Sequence, residues 1–318
     1  MTKKKHKLTA AFFTESGTNI GYGHLVRSYA LREKFDTLGY ETFFFLDSDI
    51  NVDEWFNDIN YLDWKKSTID RLFNLVIIDS YLADRETYLK INKFARSSIF
   101  FDDYDRIEYP EGAIINFAPG ASKSLYKNRN KSNKYLLGLD YLPLRDVILK
   151  TKLSIKKEHI FISLGGNDLA NLSMKIIDAL KEIKLKKVIV TRDPLLKKKL
   201  SRYQDIEILV KPKDRFFAEK MSKSIVAIST ASMTSYELAY FNIPTLLIPV
   251  AENQRLGVTQ LLKNNIGFSS IYPDTPLWKL ILKNKVKSMI ALNKKYKNKR
   301  LLGSHIASYI KKNIEFSA

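Results

Sequence analysis

Leu8-Thr-Ala-Ala-Phe-Phe-Thr14, then Glu15-Ser-Gly-Thr-Asn-Ile-Gly-Tyr-Gly-His24, then the amphipathic run Leu25–Leu38: this stretch decides the fold. The first segment is short, apolar and aromatic, as a buried strand is, and the last has helical spacing. Between them lies a loop whose glycines let backbone approach a ligand, followed by a helix whose positive N-terminal end suits an anion. A phosphate or sugar diphosphate fits such a turn. It is not a Walker A loop, because no Lys-Ser/Thr follows the glycines, and it lacks the GxGxxG spacing of a dinucleotide fold.

Working outward, the same strand and helix alternation recurs. Strands are expected at Thr42–Leu46, Leu75–Asp79, Ser98–Phe101 and Ala113–Phe117, with a helix at Arg85–Ala95. Residues 119 to 133 turn polar and basic, as an exposed loop does. After the hydrophilic stretch Lys150–Glu158 the scheme restarts with His159–Leu164, then Val188–Thr191, Ile206–Val210, Ile225–Ser229 and Thr245–Pro249. From Leu277 the pattern is helical and Lys-rich to the end. The expected fold class is therefore α/β, with two Rossmann-like doubly wound domains, 1–150 and 151–318, facing a cleft and closed by C-terminal helices. Open parallel sheets bind ligands beyond the carboxyl ends of their strands, so the strand-to-helix turns are where chemistry is expected.

Composition narrows the classes. With 318 residues, 45% hydrophobic and 27% charged, the chain is an ordinary globular protein large enough for two cores. The absence of Cys excludes disulfides, thiolate metal sites and cysteine nucleophiles, and agrees with a reducing, cytoplasmic setting. The apolar stretch Leu8–Phe13 is too short for a signal-peptide core, and no window reaches the roughly twenty apolar residues of a membrane span. A net charge of +19 favours anionic partners. Its lysines are dispersed over helix faces without a nucleic-acid-binding motif, so nucleic acid is not expected, whereas peripheral membrane contact stays open.

Five turns carry candidate residues. Gly21, Gly23 and His24 form the first; His24 sits at a helix start, where an imidazole lone pair can accept a proton, against the plainer reading of a capping or packing residue. The other histidines have no spacing suited to metal, and no cofactor is expected. Asp79 and Tyr81 end a buried strand on the same side, although an aspartate there is often only a cap. Gly165 and Gly166 open the second half with another strand, glycine turn and helix. Ile228-Ser-Thr-Ala-Ser-Met-Thr-Ser-Tyr-Glu237 offers hydroxyls and backbone donors at a helix start, with Ser232, Met233 and Thr234 suited to phosphate and Glu237 to ribose hydroxyls; a plain Ser/Thr-rich cap is the alternative. Glu252-Asn253-Gln254 follows the last strong strand.

Taken in order, Ile20-Gly-Tyr-Gly-His-Leu-Val-Arg27, Ile77-Ile-Asp-Ser-Tyr81, Phe101-Asp-Asp103, Leu136–Arg145, Ile162-Ser-Leu-Gly-Gly-Asn-Asp168, Met233-Thr-Ser-Tyr-Glu237 and Glu252-Asn-Gln254 resemble the UDP-2,4-diacetamido-2,4,6-trideoxy-β-L-altropyranose hydrolases (PseG and SpsG type), over roughly residues 8 to 270. The resemblance implies the GT-B fold and metal-independent hydrolysis of a UDP-linked diacetamido sugar. Such a reaction belongs to bacterial pseudaminic acid synthesis. It implies His24 as the catalytic base for inverting attack of water, with Gly23 and the second-domain turns on the diphosphate. Tyr81 and Asn253 would lie at the sugar, and Glu237 with the Ser229–Met233 turn at uridine ribose and phosphate. One departure stands out: the family's Arg-x-Asp before the glycine loop reads Phe13-Thr14-Glu15. Three other readings are a GT-B glycosyltransferase using the same nucleotide site with a different acceptor, a binding protein for nucleotide sugars without turnover, and a polyanion-binding protein.

Overall fold

In the computed structural model, the structure describes residues 7–52, 56–126, 131–165, 168, 172–200, 203–293, 296 and 305–313. The chain divides into two compact units, Met1–Asp146 with Gly303–Ala318, and Val147–Leu302.

The first unit is built on seven strands: β1 (Thr9–Ser16), β2 (Glu41–Ser48), β3 (Asn60–Tyr61), β4 (Phe73–Asp79), β5 (Ala95–Phe101), β6 (Ala113–Asn116) and β7 (Lys134–Leu137). They lie in the order β3-β2-β1-β4-β5-β6-β7, every pair parallel. Helices α1 (Gly23–Thr37) and α2 (Arg85–Asn92) cross between strands. Alternation along β1 fills both faces of the sheet, since successive side chains point opposite ways. Phe12 packs on Phe35 of α1 and Phe44, at 5.8 and 5.7 Å between ring centres. Phe13 faces the other way, stacked on Phe45 at 5.0 Å and edge-on to Trp64 at 5.8 Å. The position that holds arginine in the resembled family is thus an aromatic core position here.

After α3 (Asp146–Lys150), the second unit carries β8 (His159–Ser163), α4 (Leu172–Leu180), β9 (Lys186–Thr191), α5 (Pro194–Leu200), β10 (Ile206–Val210), α6 (Asp214–Ser222), β11 (Ser224–Ser229), α7 (Met233–Tyr240), β12 (Thr245–Leu247), α8 (Glu252–Lys263), β13 (Ser269–Ser270) and α9 (Trp278–Leu292). Its parallel sheet runs β10-β9-β8-β11-β12-β13. Both sheets therefore have the doubly wound order, in which the first strand sits inside and the chain reverses direction across it. The crevice at such a reversal is where ligands bind. It falls between β1 and β4 in the first unit and between β8 and β11 in the second.

One expectation is corrected. The closing helices were expected together on a second domain starting at 151, whereas α10 (His305–Asn313) belongs with the first unit. The reason is packing: α10 lies on the short helical turn Leu139–Tyr141, with Ile306 and Ile310 buried. The basic segment at 119–133 is also more than a loose excursion. It contains a helical turn at Lys123–Tyr126, whose Tyr126 hydroxyl donates to Asp102 at 2.6 Å and accepts from Asn116 at 2.9 Å. Among the described residues no helix is long and apolar enough to cross a membrane.

Candidate active site

The first unit's candidate site grows from the reversal between β1 and β4. Beyond β1 the chain closes a turn in which Gly17 and Gly21 exchange backbone hydrogen bonds of 3.2 and 2.8 Å. Gly21 sits at φ +79°, a left-handed conformation costly for any residue with a Cβ. At Gly17 a Cβ would come within 2.3 Å of the Asp49 carboxylate oxygen that accepts from Thr18 N, so a side chain there would have to displace Asp49. At Gly21 and Gly23 an added Cβ would meet nothing within 4 Å, so the space beside them is open. Helix α1 starts at Gly23 with no side-chain hydrogen bond capping it at Tyr22.

His24, in the first turn of α1, is buried and lies against Asp79 at the end of β4, with Nδ1 2.6 Å from Oδ1. That separation is that of a charge-assisted bond in which Nδ1–H donates to the carboxylate. Arg27 Nη2 also lies 3.1 Å from Nδ1. A nitrogen already donating to Asp79 cannot accept from it, so this approach reflects two donors converging on the same carboxylate oxygen. Nδ1 being committed, Nε2 is the nitrogen left to exchange a proton, and it has no hydrogen-bond partner among the described residues.

Arg27 is one helical turn further along α1, on the same face. Its Nε and Nη2 each reach an Asp79 oxygen at 2.7 Å, and its Nη1 lies 2.9 Å from both oxygens of Asp103. Ser28 Oγ adds a bond to Asp79 Oδ2 at 3.1 Å. Asp79 is only 1% exposed. Burial by itself would raise its pKa, but the Arg27 guanidinium and the His24 ring outweigh that and hold the carboxyl well below the usual carboxylate range. Arg27 is held in its charged form more firmly than usual: burial opposes the charge, and Asp103 and Asp79 more than compensate. The sequence offered Asp79 as a substrate contact. The structure places it behind His24 with both oxygens occupied, which fits an orienting role.

Tyr81 lies edge-on to His24, with ring centres 4.3 Å apart and planes at 84°. Its hydroxyl donates to Asp103 Oδ2. Burial and the adjacent Asp103 charge push the phenol above its ordinary pKa, so it is a neutral donor. The turn carrying it is held by Glu15, fully buried at the end of β1, which accepts from Ser80 Oγ at 2.5 Å, Tyr81 N at 2.6 Å and Leu82 N at 3.2 Å. Glu15 therefore has a definite task in this chain. It fixes the backbone on which Tyr81 stands.

In the second unit, Gly165 follows β8 at φ +86°, whereas Gly166 lies outside the described residues. The helix beyond them is already supplied with an anion: Asp168 accepts from the Leu172 and Ser173 amides, both at 2.8 Å. The start of α7 differs. Its cap residue Ser232 makes no side-chain capping bond, and its hydroxyl instead accepts from Thr230 Oγ1 at 3.0 Å. Met233 and Thr234 are half-buried in the first turn, and Glu237 is buried one turn on. Ser229 Oγ, buried at the end of β11, has no hydrogen-bond partner among the described residues. Gln254 Oε1 accepts from Val250 N at 3.0 Å, folding back on its own loop, and the Asn253 side chain lies outside the described residues.

The structure thus brings His24, Asp79 and Tyr81 together around two residues to which the sequence assigned no role, Arg27 and Asp103. Arg27 closes the motif Ile20–Arg27 three residues after His24, but that spacing alone gave it no role. Asp103 could be found only as a second strand-end aspartate, like Asp79; its neighbour Asp102 is instead consumed structurally, accepting from two backbone amides and from Tyr109 and Tyr126.

Known proteins agree with this architecture. No family model matches the chain. A *Helicobacter pylori* protein described as a pseudaminic acid cytidylyltransferase and UDP-2,4-diacetamido-2,4,6-trideoxy-β-L-altropyranose hydrolase is 25% identical over 238 residues, 74% of this chain and 43% of that protein. An uncharacterized *Methanocaldococcus jannaschii* protein is 25% identical over 281 residues, 80% of this chain and 58% of that one. The chain thus spans about half the length of these relatives. Among solved structures, the *M. jannaschii* UDP-GlcNAc 2-epimerase superposes with a TM-score of 0.63 at 11% identity, covering 96% of this chain and 99% of that one. *Acinetobacter baumannii* MurG gives 0.60 at 13% identity, covering 96% and 99%, and the calicheamicin glycosyltransferase CalG4 gives 0.60 at 12%, covering 98% of both. The fold of the chain is the α/β, GT-B type.

Proposed function

We propose that the chain hydrolyses a UDP-linked 2,4-diacetamido-2,4,6-trideoxy sugar, releasing UDP and the free sugar. The observation that carries this reading is the pairing of His24 Nδ1 with Asp79 at 2.6 Å, which leaves Nε2 as a base. The partial likeness to the *H. pylori* protein supports the substrate class. In the reaction, Nε2 takes a proton from water as the water oxygen bonds to the anomeric carbon. The bond from that carbon to the diphosphate oxygen breaks, and its electron pair leaves with UDP. Asp79 keeps the ring oriented and offsets the positive charge it acquires. The backbone at Gly23 and the uncapped start of α1 offer donors to the diphosphate, where charge grows in the transition state, and the turn closed at Gly21 leaves room for it. Tyr81, with Asn253 and Gln254, serves the sugar. Gly165, Gly166, Ser232, Met233, Thr234 and Glu237 serve the uridine diphosphate. A cytoplasmic setting, where nucleotide sugars are made, goes with this reading.

The test is turnover in heavy-oxygen water without an acceptor. The label is expected in the hydroxyl on the sugar's anomeric carbon and absent from UDP. Release that requires an added acceptor would instead make the chain a glycosyltransferase, His24 then deprotonating an acceptor hydroxyl. Nucleotide-sugar binding with no release under either condition would leave a binding protein.

A further inference from the structure

The contacts around His24 close into a ring: His24 to Asp79, Asp79 to Arg27, Arg27 to Asp103, Asp103 to Tyr81, and Tyr81 back to His24. Asp103 does not bond His24, yet it holds both the guanidinium behind the base and the phenol beside it. We infer that Asp103 is a positioning residue that sets the proton affinity of the base through Arg27 and fixes Tyr81 for substrate, an inference that rests on His24 acting as the base.

The charges support this. The groups facing His24 are Asp79 from the end of β4, Arg27 from α1, Tyr81 from the turn after β4 and, through Arg27, Asp103 from the segment after β5. Glu15 at the end of β1 reaches that turn through Ser80 Oγ and the Tyr81 amide. Two carboxylates against one guanidinium leave one negative charge in the ring, which a proton on His24 neutralises. Without the Asp103 charge, the same proton would leave a net positive cluster in a buried place, where charge is poorly screened. Arg27 cannot simply move away to relieve it. Its guanidinium lies over the Phe101 and Phe117 rings, 5.2 and 5.7 Å from their centres, and Asp79 grips its other edge.

The experiment uses the full chain with Asp103→Asn, Asp103→Glu and Tyr81→Phe, and follows UDP release from about pH 5 to about pH 9, the range over which imidazole changes charge. Only the unprotonated base works, so activity has an acid limb. In Asp103→Asn that limb is expected to move down by roughly half to one pH unit, less than loss of a directly touching charge would give. Its plateau kcat should fall and its KM rise. Asp103→Glu should return the limb toward wild type, whereas Tyr81→Phe should raise KM and leave the limb in place. A limb in Asp103→Asn that coincides with wild type, in a protein of unchanged thermal stability, overturns the inference. If the wild type releases no UDP, the hydrolase reading fails and the inference is read from the NMR titration of the His24 ring. A midpoint lower in Asp103→Asn than in wild type supports it, and an unchanged midpoint overturns it.

Discussion

His24 has one ring nitrogen committed to Asp79 and the other without a hydrogen-bond partner among the described residues, which is the arrangement a base needs. Replacing it with glutamine keeps much of the volume and removes the proton acceptor. Turnover should fall by about 10²–10⁴-fold in a steady-state assay, the usual contribution of general-base assistance, with the melting temperature little changed. Asp79→Asn is expected to cost stability as well as rate. Breaking a buried ion pair costs about 3–5 kcal/mol, and the lower end applies here because Arg27 keeps Asp103. Urea unfolding would measure it. Since Asp79 is held below its unfolded pKa, its contribution to stability is fully present above about pH 4 and is lost as the pH falls through the folded value. Unfolding free energies taken from neutral pH down into acid should therefore decline more for wild type than for Asp79→Asn.

At the scale of elements, the last helix matters more than its place at the end of the chain suggests. Ile310 of α10 is fully buried in the first unit. Ile310→Ala should cost about 2–5 kcal/mol, as large-to-small substitutions in cores do. Thermal melts would show whether the loss appears, and a variant as stable as wild type would mean that α10 is not anchored there. The strand, glycine turn and helix opening at β1 were legible in the sequence because the apolar run, the turn residues and the helical spacing agree locally. Edge strands such as β3 and β13, two residues each, carry no periodic signal. Helical spacing told equally little about α10, since it reveals an apolar face but not which core receives it. Arg27 and Asp103 close two of the motifs that carry the resemblance, yet their roles stayed hidden for the same reason. They are 76 residues apart, and nothing local reports a contact between the helix after β1 and the end of β5.

Across the whole molecule, two sheets of the same doubly wound order each present a chain reversal with chemically equipped turns. The sequence resemblance already pointed to both. What it did not reveal is how unequal the turns are: Asp168 occupies the start of α4, whereas the start of α7 has no side-chain cap at Ser232 and follows a Ser229 hydroxyl without a partner among the described residues. The net charge of +19 adds a long-range effect, since a basic protein attracts a dianionic nucleotide sugar before contact. Rising salt should therefore lower kcat/KM while leaving kcat nearly constant; a kcat that falls in step with kcat/KM would contradict this. The most direct test of the central claim is UDP release from the diacetamido-trideoxy-altrose nucleotide sugar, without acceptor and in EDTA, by wild type and His24→Gln side by side. The account predicts steady release by wild type and near-complete loss in the variant. No release by wild type, or equal release by both, would contradict it.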